Sequence, residues 1–367
     1  MNRREFLATT TASAILARRL SFARERSGRI EVVRPEFHQL IDADAPIEKI
    51  THKFEGTITE GPLWDPRGFL LFSDIYGDKM YQWNPDGTLK VFRAPGQFPN
   101  GNTFDQQGRL LMCEQRLRRL VRLEKDGTLT VLTDRWEGQN LNCPNDVVVR
   151  KDDTIYFTDP WWNFPPGAIK DLSFQAVWRI SPQGELTVAA KNLSGPKSGP
   201  NGIGLSPDEM TLYVSDSSVG RLYAFDIATD GSLSAQRLLL DMNALTHDHG
   251  AADGLKVDEL GNIWATGPGG IWVIDKTGAH LGTLRLPGQS IVQITTFPGI
   301  THEFPNVPAN CAWGDDDYQT LYLTAPRSVY RVRTKVRGKA TYRLKESSSP
   351  ALRANTHASR SYRDIGT

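Results

Sequence analysis

Residues 141–160 read LNCPNDVVVRKDDTIYFTDP and decide the fold of this chain. Apolar runs at 147–149 and 155–158 flank a polar turn at 151–153, a pattern typical of a β-hairpin. The polar residue Asn145 stands just before the first strand, which is too apolar to face water on both sides. The sequence therefore predicts a side-chain amide held at the mouth of a buried strand.

The same hairpin pattern returns along the chain. It combines an apolar strand, a polar turn and a second strand that ends in a small residue and, in most copies, an acid. Six segments carry it: 62–74, 103–114, 147–159, 204–216, 255–267 and 312–325. A second hairpin follows each one, at 80–92, 120–132, 177–188, 222–234, 271–282 and 329–338. Because these units of four strands recur every 40 to 58 residues, they predict an all-β fold, a six-bladed β-propeller with four antiparallel strands per blade.

The repeats place the propeller domain at residues 45–340, with 47–59 as a strand that closes the ring on the last blade. Residues 1–23 carry a twin arginine before a short apolar run and resemble a twin-arginine export signal, with a disordered basic tail as the alternative. The run is too short to span a bilayer. Residues 345–367 have the composition of a polar tail. We therefore expect an exported protein, periplasmic or secreted, that is not held in a membrane.

The composition describes an ordinary globular protein, with 39% hydrophobic and 23% charged residues. A formal net charge of +1 gives no electrostatic basis for binding nucleic acid or an anionic membrane. The cysteines Cys113, Cys143 and Cys311 are too widely spaced for a disulfide framework or a C-x-x-C metal site, so we expect free, buried thiols. The sequence leaves the oligomeric state open.

One position in each repeat, eight residues before the turn of the first hairpin, carries a side-chain oxygen. The six residues are Glu60, Asn100, Asn145, Asn201, Asp253 and Asn310. Each alone is also a common type of residue before a turn. In a propeller, however, the inner strands line one channel, so the six would converge at its mouth, where two carboxylates would repel unless a cation lay between them. Oxygen ligands suit Ca²⁺ first, with Mg²⁺, Mn²⁺ or Zn²⁺ as alternatives, and the absence of His and Cys argues against a dedicated zinc site.

Several words of the sequence resemble the gluconolactonase, regucalcin and luciferin-regenerating-enzyme family. They are EGPLW at 60–64, PNDVVV at 144–149, GPNGIGLSPD at 199–208 and DGLKVDELGNIW at 253–264. The resemblance covers about residues 50–335 and implies one divalent metal in the channel of a six-bladed propeller. The ligands that it implies are Glu60, Asn145, Asn201 and Asp253.

The remaining positions near the mouth are expected to meet the substrate. Asn100 and Asn310 match in register but are not the family's usual ligands, so we expect them to bind water or substrate hydroxyls. Trp161, with Trp162, stands where the family commonly has one aromatic residue and a glycine, and predicts an apolar wall for a sugar ring. His249 lies in a loop with two histidines that departs from the family pattern.

Together these features predict metal-dependent hydrolysis of a sugar lactone to the aldonic acid. The metal is expected to polarise the lactone carbonyl. Asp253 is the expected base, with His249 as the alternative because imidazole titrates near neutral pH. Two other hypotheses stay open: a hydrolase of another ester or an organophosphate on the same fold, and a non-catalytic calcium-binding propeller.

Overall fold

The computed structural model of the protein describes residues 28–51, 54–162, 167–248, 250–288, 291–296, 299–340 and 342. The predicted export signal at 1–23 and the predicted tail at 345–367 lie outside the described residues. Among the described residues, no helix combines the length and the apolar character needed to cross a membrane.

Strands dominate the described chain. The first elements are β1 Arg29–Val32, a 3-10 helix at Pro35–Gln39 and β2 Glu48–Lys49. Blade one contains β3 Thr59–Asp65, β4 Phe69–Asp74, β5 Lys79–Trp83 and β6 Leu89–Arg93. Blade two contains β7 Pro99–Phe104, β8 Leu110–Glu114, β9 Arg119–Leu123 and β10 Leu129–Thr133. A small hairpin follows, formed by β11 Arg135–Trp136 and β12 Gln139–Asn140.

The second half of the chain continues the same order. Blade three contains β13 Val147–Val149, β14 Ile155–Asp159, β15 Ala176–Ile180 and β16 Leu186–Lys191. Blade four contains β17 Pro200–Leu205, β18 Thr211–Asp216, β19 Arg221–Asp226 and β20 Arg237–Asp241. Blade five contains β21 Leu255–Val257, β22 Ile263–Gly267, β23 Gly270–Ile274 and β24 His280–Arg285. After a hairpin of β25 Ile291–Thr296 and β26 Ile300–Pro305, blade six contains β27 Asn310–Gly314, β28 Thr320–Ala325 and β29 Ser328–Arg333. The prediction of an all-β, six-bladed propeller is confirmed.

The ring is closed by the N-terminal part of the chain, but among the described residues of the predicted closing segment 47–59 only Glu48–Lys49 forms a strand that pairs with the last blade, and Thr59 already begins β3 of blade one. Strand β2 is the outer strand of blade six, where Glu48 pairs with Arg331 and Lys49 with Tyr330. Blade six thus combines strands from both ends of the propeller, which fixes the first and last blades side by side.

Strand β1 is a feature that the sequence analysis missed, because it lies before the predicted domain start at residue 45. It pairs with β24 as a fifth, outermost strand of blade five, with Arg29 opposite Arg285. Phe37, in the 3-10 helix that follows, is fully buried. This element occurs once in the chain, so the repeat pattern carried no information about it.

The hairpin turns confirm the register of the repeats. In each blade, the turn between the inner strand and the second strand contains a residue with a left-handed backbone. The six φ angles are 98° at Gly68, 73° at Gly108, 67° at Asp153, 61° at Glu209, 89° at Gly261 and 53° at Tyr318. Because all six turns share this conformation, counting back from them selects equivalent positions in the six inner strands.

The hydrophobic core lies between the blades. One cluster joins blades three and four through Tyr156 and Val214, and another joins blades two and three through Leu111 and Trp178. The cluster at the closure of the ring is shared by blades five, six and one. No blade buries its apolar faces alone, so each depends on both neighbours. The three cysteines are free and buried, as predicted.

The chain after β29 crosses the end of the channel that lies opposite the strand starts. Gly338 donates its N–H to the carbonyl of Tyr318 in blade six at 3.0 Å, and Lys339 donates to that of Val257 in blade five at 3.1 Å. The Lys339 ammonium group contacts Glu209 Oε1 in blade four at 2.8 Å. This segment therefore braces three blades at the far end.

Candidate functional site

The six predicted positions lie at the starts of the inner strands. Glu60, Asn100, Asn145, Asn201 and Asn310 are buried, and Asp253 is half-buried. Each occupies a strand start or the residues just before it, so the same end of every blade contributes one side-chain oxygen.

Glycines directly after these positions allow the blades to approach one another. A Cβ atom at Gly61 would overlap the carbonyl oxygen of Asn100, and one at Gly202 would overlap that of Asp253. A Cβ atom at Gly254 would overlap the side chain of Asn310. The repeated Asn-Gly and Asp-Gly words are therefore needed for close packing around the channel, beyond their use as turn formers.

Hydroxyl groups tie the ring together between blades. They come from the small residues that end the second strands in the repeat pattern. Each of three donates to the backbone carbonyl of a predicted site residue in the next blade: Ser73 Oγ to Asn100 at 2.7 Å, Thr158 Oγ1 to Asn201 at 2.6 Å and Ser215 Oγ to Asp253 at 2.6 Å. Between blades two and three, Gly101 N donates to the carbonyl of Asn145 at 2.7 Å. The site residues are thus held by backbone contacts that leave their side chains directed elsewhere.

The acids that follow these small residues serve the loops. Each accepts a backbone N–H from the chain that enters its own blade: Asp74 from Thr57 at 2.9 Å, Asp159 from Asn142 at 2.9 Å and Asp216 from Gly199 at 2.7 Å. Burial raises the pKa of Asp159 to about 7. The acid that recurs at the end of the repeat therefore stabilises the connections into the blades and does not belong to the channel.

Glu60 is held in one orientation by neighbours on both sides. Its Oε2 accepts the N–H of Gly61 at 2.8 Å and the Nδ2 of Asn310 at 2.9 Å. Among the described residues, none donates to Oε1. Burial raises the pKa of Glu60 to about 7, against the lowering effect of these two hydrogen bonds. A carboxylate in this place is costly unless a positive charge accompanies it.

Asp253 faces the same negative environment. Burial raises the pKa of its carboxyl group well above the usual value, and the charges of Glu60 and Asp146 raise it further. A hydrogen bond from the side chain of Asn201 opposes this shift. The charge of Glu60, in blade one, therefore acts on the carboxyl group of Asp253, in blade five, across the channel.

The sequence analysis missed two charged residues of the channel, Asp146 and Lys256. Lys256 is the central residue of β21, and its Nζ lies 3.4 Å from Asp146 Oδ2, in blade three, and 3.4 Å from Asn310 Oδ1, in blade six. Asp146 is buried and directly follows Asn145. A lysine between two apolar residues in a short inner strand was the available signal, because such a strand has no solvent-exposed face.

The other predicted substrate contacts have different outcomes. The side chain of Asn310 is engaged within the protein, since Nδ2 donates to Glu60 and Oδ1 accepts the N–H of Cys311 at 2.8 Å. Asn100 is buried, and its Oδ1 has no hydrogen-bond partner among the described residues. The predicted contacts of Asn100 and Asn310 with water or substrate stay predictions, and within the protein the amide of Asn310 orients Glu60.

Trp161 lies in the loop after β14, at the channel-mouth end of blade three. Its backbone N–H donates to Gln175 Oε1 at 2.7 Å, and Lys170 Nζ lies 4.3 Å from the centroid of the indole ring. These contacts belong to its own loop, so its role as a sugar-binding wall stays a prediction. His249 lies outside the described residues, and its role as a base also stays a prediction.

The donor set fits a hard divalent cation. Glu60, Asn145, Asn201 and Asp253 each carry a side-chain oxygen, which is the donor type that such a cation prefers. Three carboxylates and one ammonium group interact in this end of the channel, which leaves two negative charges when all are ionised. Within the described ranges, no cluster of three or more His, Cys, Asp or Glu residues could hold a metal, so a site here must use the carboxamides as well.

Comparisons with known proteins agree with this architecture. Residues 58–303 match the SMP-30/Gluconolactonase/LRE-like region. The gluconolactonase of Zymomonas mobilis subsp. mobilis is 31% identical over 355 residues, covering 90% of this chain and 93% of that protein. The structure of a gluconolactonase from Xanthomonas campestris superposes with a TM-score of 0.70 at 29% identity, covering 84% of this chain and 97% of the other.

A more distant likeness concerns the fold alone. The calcium-binding protein regucalcin from Agrobacterium tumefaciens has a TM-score of 0.62 at 19% identity, covering 81% of this chain and 97% of that one. The family match at residues 58–303 contains five of the six strand-start residues, all except Asn310, and extends over most of the propeller. This chain therefore belongs to the SMP-30/gluconolactonase/LRE-like family.

Proposed function

We propose that this protein is a metal-dependent lactonase that hydrolyses a sugar lactone to the aldonic acid. The observation that carries the proposal is the channel mouth at which Glu60 and Asp253 are both desolvated, and where two negative charges would be uncompensated when the carboxyl groups are ionised. The relative from Zymomonas mobilis is named a gluconolactonase, and its match extends over nine-tenths of this chain. Together these support hydrolysis of a lactone more than of an unrelated ester.

In this proposal Glu60, Asn145, Asn201 and Asp253 hold one divalent cation, with Ca²⁺ first among the candidates. When bound, the cation supplies Lewis acidity at the carbonyl oxygen of the lactone. The hydrogen bonds from Gly61 and Asn310 to Glu60 Oε2 keep its Oε1 available to the channel. Pre-oriented ligands lower the cost of binding, because no side chain has to be reorganised.

Two further side chains act on the substrate and on the attacking water. Asp253 is half-buried at the mouth and is the proposed acceptor of a proton from water, because burial and the charges of Glu60 and Asp146 raise its pKa and so make the carboxylate more basic. Asn100 Oδ1 is unpaired among the described residues and accepts a hydrogen bond from a sugar hydroxyl. A buried acceptor that only the correct substrate satisfies contributes specificity for hydroxylated lactones over apolar esters.

A lactone panel tests the proposal. The full chain is assayed with glucono-1,5-lactone, related sugar lactones, aromatic esters and a phosphotriester by a pH indicator, before and after treatment with EDTA. We expect hydrolysis of sugar lactones that is lost with EDTA and restored by one of Ca²⁺, Mg²⁺, Mn²⁺ or Zn²⁺. Metal binding without turnover of any substrate would instead support a calcium-binding propeller, and preference for the phosphotriester would support the organophosphate alternative.

The pKa values also predict how cation binding depends on pH. Burial raises the pKa of Glu60 to about 7 in the metal-free protein, so below neutral pH a proton occupies the place of the cation. Binding must displace that proton, and the affinity for Ca²⁺ is expected to fall as the pH drops from 8 to 5.5. Calorimetric titrations in two buffers of different ionisation enthalpy should show protons released at pH 6 and fewer at pH 8. An affinity that is constant across this range would contradict the assignment of Glu60.

A further inference from the structure

Lys256 places a positive charge in the described part of the channel, and the lactonase proposal gives it no role. Its Nζ lies 3.0 Å from the carbonyl oxygen of Leu255 in its own strand. It also reaches Asp146 in blade three and Asn310 in blade six, each at 3.4 Å. One ammonium group thus contacts three of the six blades from within the channel.

Its contact with Asn310 leads directly to Glu60. Asn310 Oδ1 accepts from Lys256 and from the N–H of Cys311, so its other end, Nδ2, must point toward Glu60 Oε2. An amide whose oxygen is fixed by two donors cannot rotate to present that oxygen to the carboxylate. Lys256 therefore helps to keep Asn310 a donor to Glu60.

Its contact with Asp146 decides the charge of the site. Asp146 is buried, and its Oδ1 already accepts the N–H of Val147 at 2.9 Å, while its Oδ2 faces Lys256. The negative charge of Asp146 is felt at both Glu60 and Asp253, and the positive charge of Lys256 is felt at Glu60. When Glu60, Asp146 and Asp253 are all ionised, as they would be around a bound cation, the mouth carries two net negative charges with the ammonium group and three without it.

We propose that Lys256 makes the channel selective for a divalent cation. Its charge offsets that of Asp146, and its contact with Asn310 Oδ1 keeps the Asn310 amide directed at Glu60. It is a positioning residue rather than a cation ligand. The inference rests on the cation site of the proposed lactonase, and it extends that proposal by naming the residue that selects the charge of the ion.

The test compares Ca²⁺ with Tb³⁺, a trivalent ion of similar size, in the full-length protein after EDTA treatment. Affinity for each ion is measured by calorimetry, and that for Tb³⁺ also by its luminescence. In Lys256→Met the ratio of Tb³⁺ affinity to Ca²⁺ affinity is expected to rise about tenfold, because an added negative charge acts more strongly on the ion of higher charge. Lys256→Arg keeps the charge and is expected to keep the ratio of the unchanged protein.

A double variant separates the charge from the contact. Lys256→Met combined with Asp146→Asn again leaves two negative charges, so the ratio is expected to return to that of the unchanged protein. In this double variant the affinity for each ion should be about tenfold lower than in the unchanged protein, because Asn310 has lost the contact with Lys256. If the role of Lys256 were only structural, Lys256→Met would lower the affinity for both ions by the same factor, and that result would overturn the inference.

Circular dichroism and the melting temperature in EDTA show whether each variant is folded. If Lys256→Met does not fold, Asp146→Asn alone makes the opposite change, leaving one negative charge, and the ratio should then fall. An unchanged ratio in Asp146→Asn would equally overturn the inference. If the unchanged protein binds neither ion and also fails to bind Mg²⁺, Mn²⁺ and Zn²⁺, the cation site itself fails and the lactonase proposal fails with it. That outcome differs from binding of both ions with an affinity ratio that is insensitive to Lys256.

Discussion

Replacing Asp253 with alanine is expected to reduce kcat/KM for the best lactone by at least about a thousandfold. The carboxyl group is both a proposed cation ligand and the proposed acceptor of a proton from the attacking water. Its pKa is raised by burial and by the charges of Glu60 and Asp146, which makes it the more basic of the two proposed carboxylate ligands. Steady-state kinetics with the indicator assay measure the effect.

Two variants make the Asp253 result specific. Asp253→Asn keeps a ligand oxygen and the size of the side chain, so it should bind a cation more weakly than the unchanged protein and still lack the base. Asp86→Ala removes a carboxylate from an exposed hairpin turn, where Asp86 accepts the N–H of Thr88 at 2.8 Å, and is expected to leave kinetics unaffected. A rate near that of the unchanged protein in Asp253→Ala would show that the active site is assigned to the wrong residue.

The second large effect is expected from Glu60→Gln, which should lower the affinity for Ca²⁺ by at least about a hundredfold. Glutamine is nearly isosteric but neutral, so the cation loses one of the two charged ligands. The metal-free protein should fold at least as well as before, since burial penalises the charged form of Glu60. Calorimetry measures the affinity, and thermal unfolding with and without Ca²⁺ measures the stabilisation that binding provides.

The signature of this result is a melting temperature that is kept in EDTA but no longer rises with Ca²⁺. Glu36→Gln, at an exposed position of the 3-10 helix, is the matched control and should preserve the rise. If Glu60→Gln bound Ca²⁺ as tightly as the unchanged protein, the cation would have to lie away from the channel mouth.

The repeat pattern predicted the propeller because every blade restates the same information. Single turns such as the one at Tyr318 carry little signal, yet six turns in one register specify the strand starts, and the left-handed backbone at all six supports that alignment. Strand β1 had no such support, since it occurs once and its partner β24 lies about 250 residues further along the chain. Elements that pair over such separations leave no local pattern.

The contacts within the site were beyond the reach of sequence spacing for a related reason. Lys256 and Asp146 are 110 residues apart, and Asn310 and Glu60 are 250 apart. The alignment of strand starts placed Asn310 at the mouth, but only the packed blades show that its amide is directed at Glu60. Residue type alone does not show whether a side-chain oxygen finds a partner within the protein. Asn100 Oδ1 finds none among the described residues, whereas Asn310 Oδ1 finds two.

The junction between the last blade and the first carries a consequence for how the molecule comes apart. Glu60 belongs to the first blade and Asn310 to the last, and the same seam is clasped on its outer side by the two residue pairs of β2 with β29. A cation bound at Glu60 would further stabilise this junction from the channel side. Cleaving the backbone near Lys49 should therefore weaken binding of the ion although every proposed ligand remains in the chain, and a bound ion should in turn stabilise the contact between the first and last blades against unfolding.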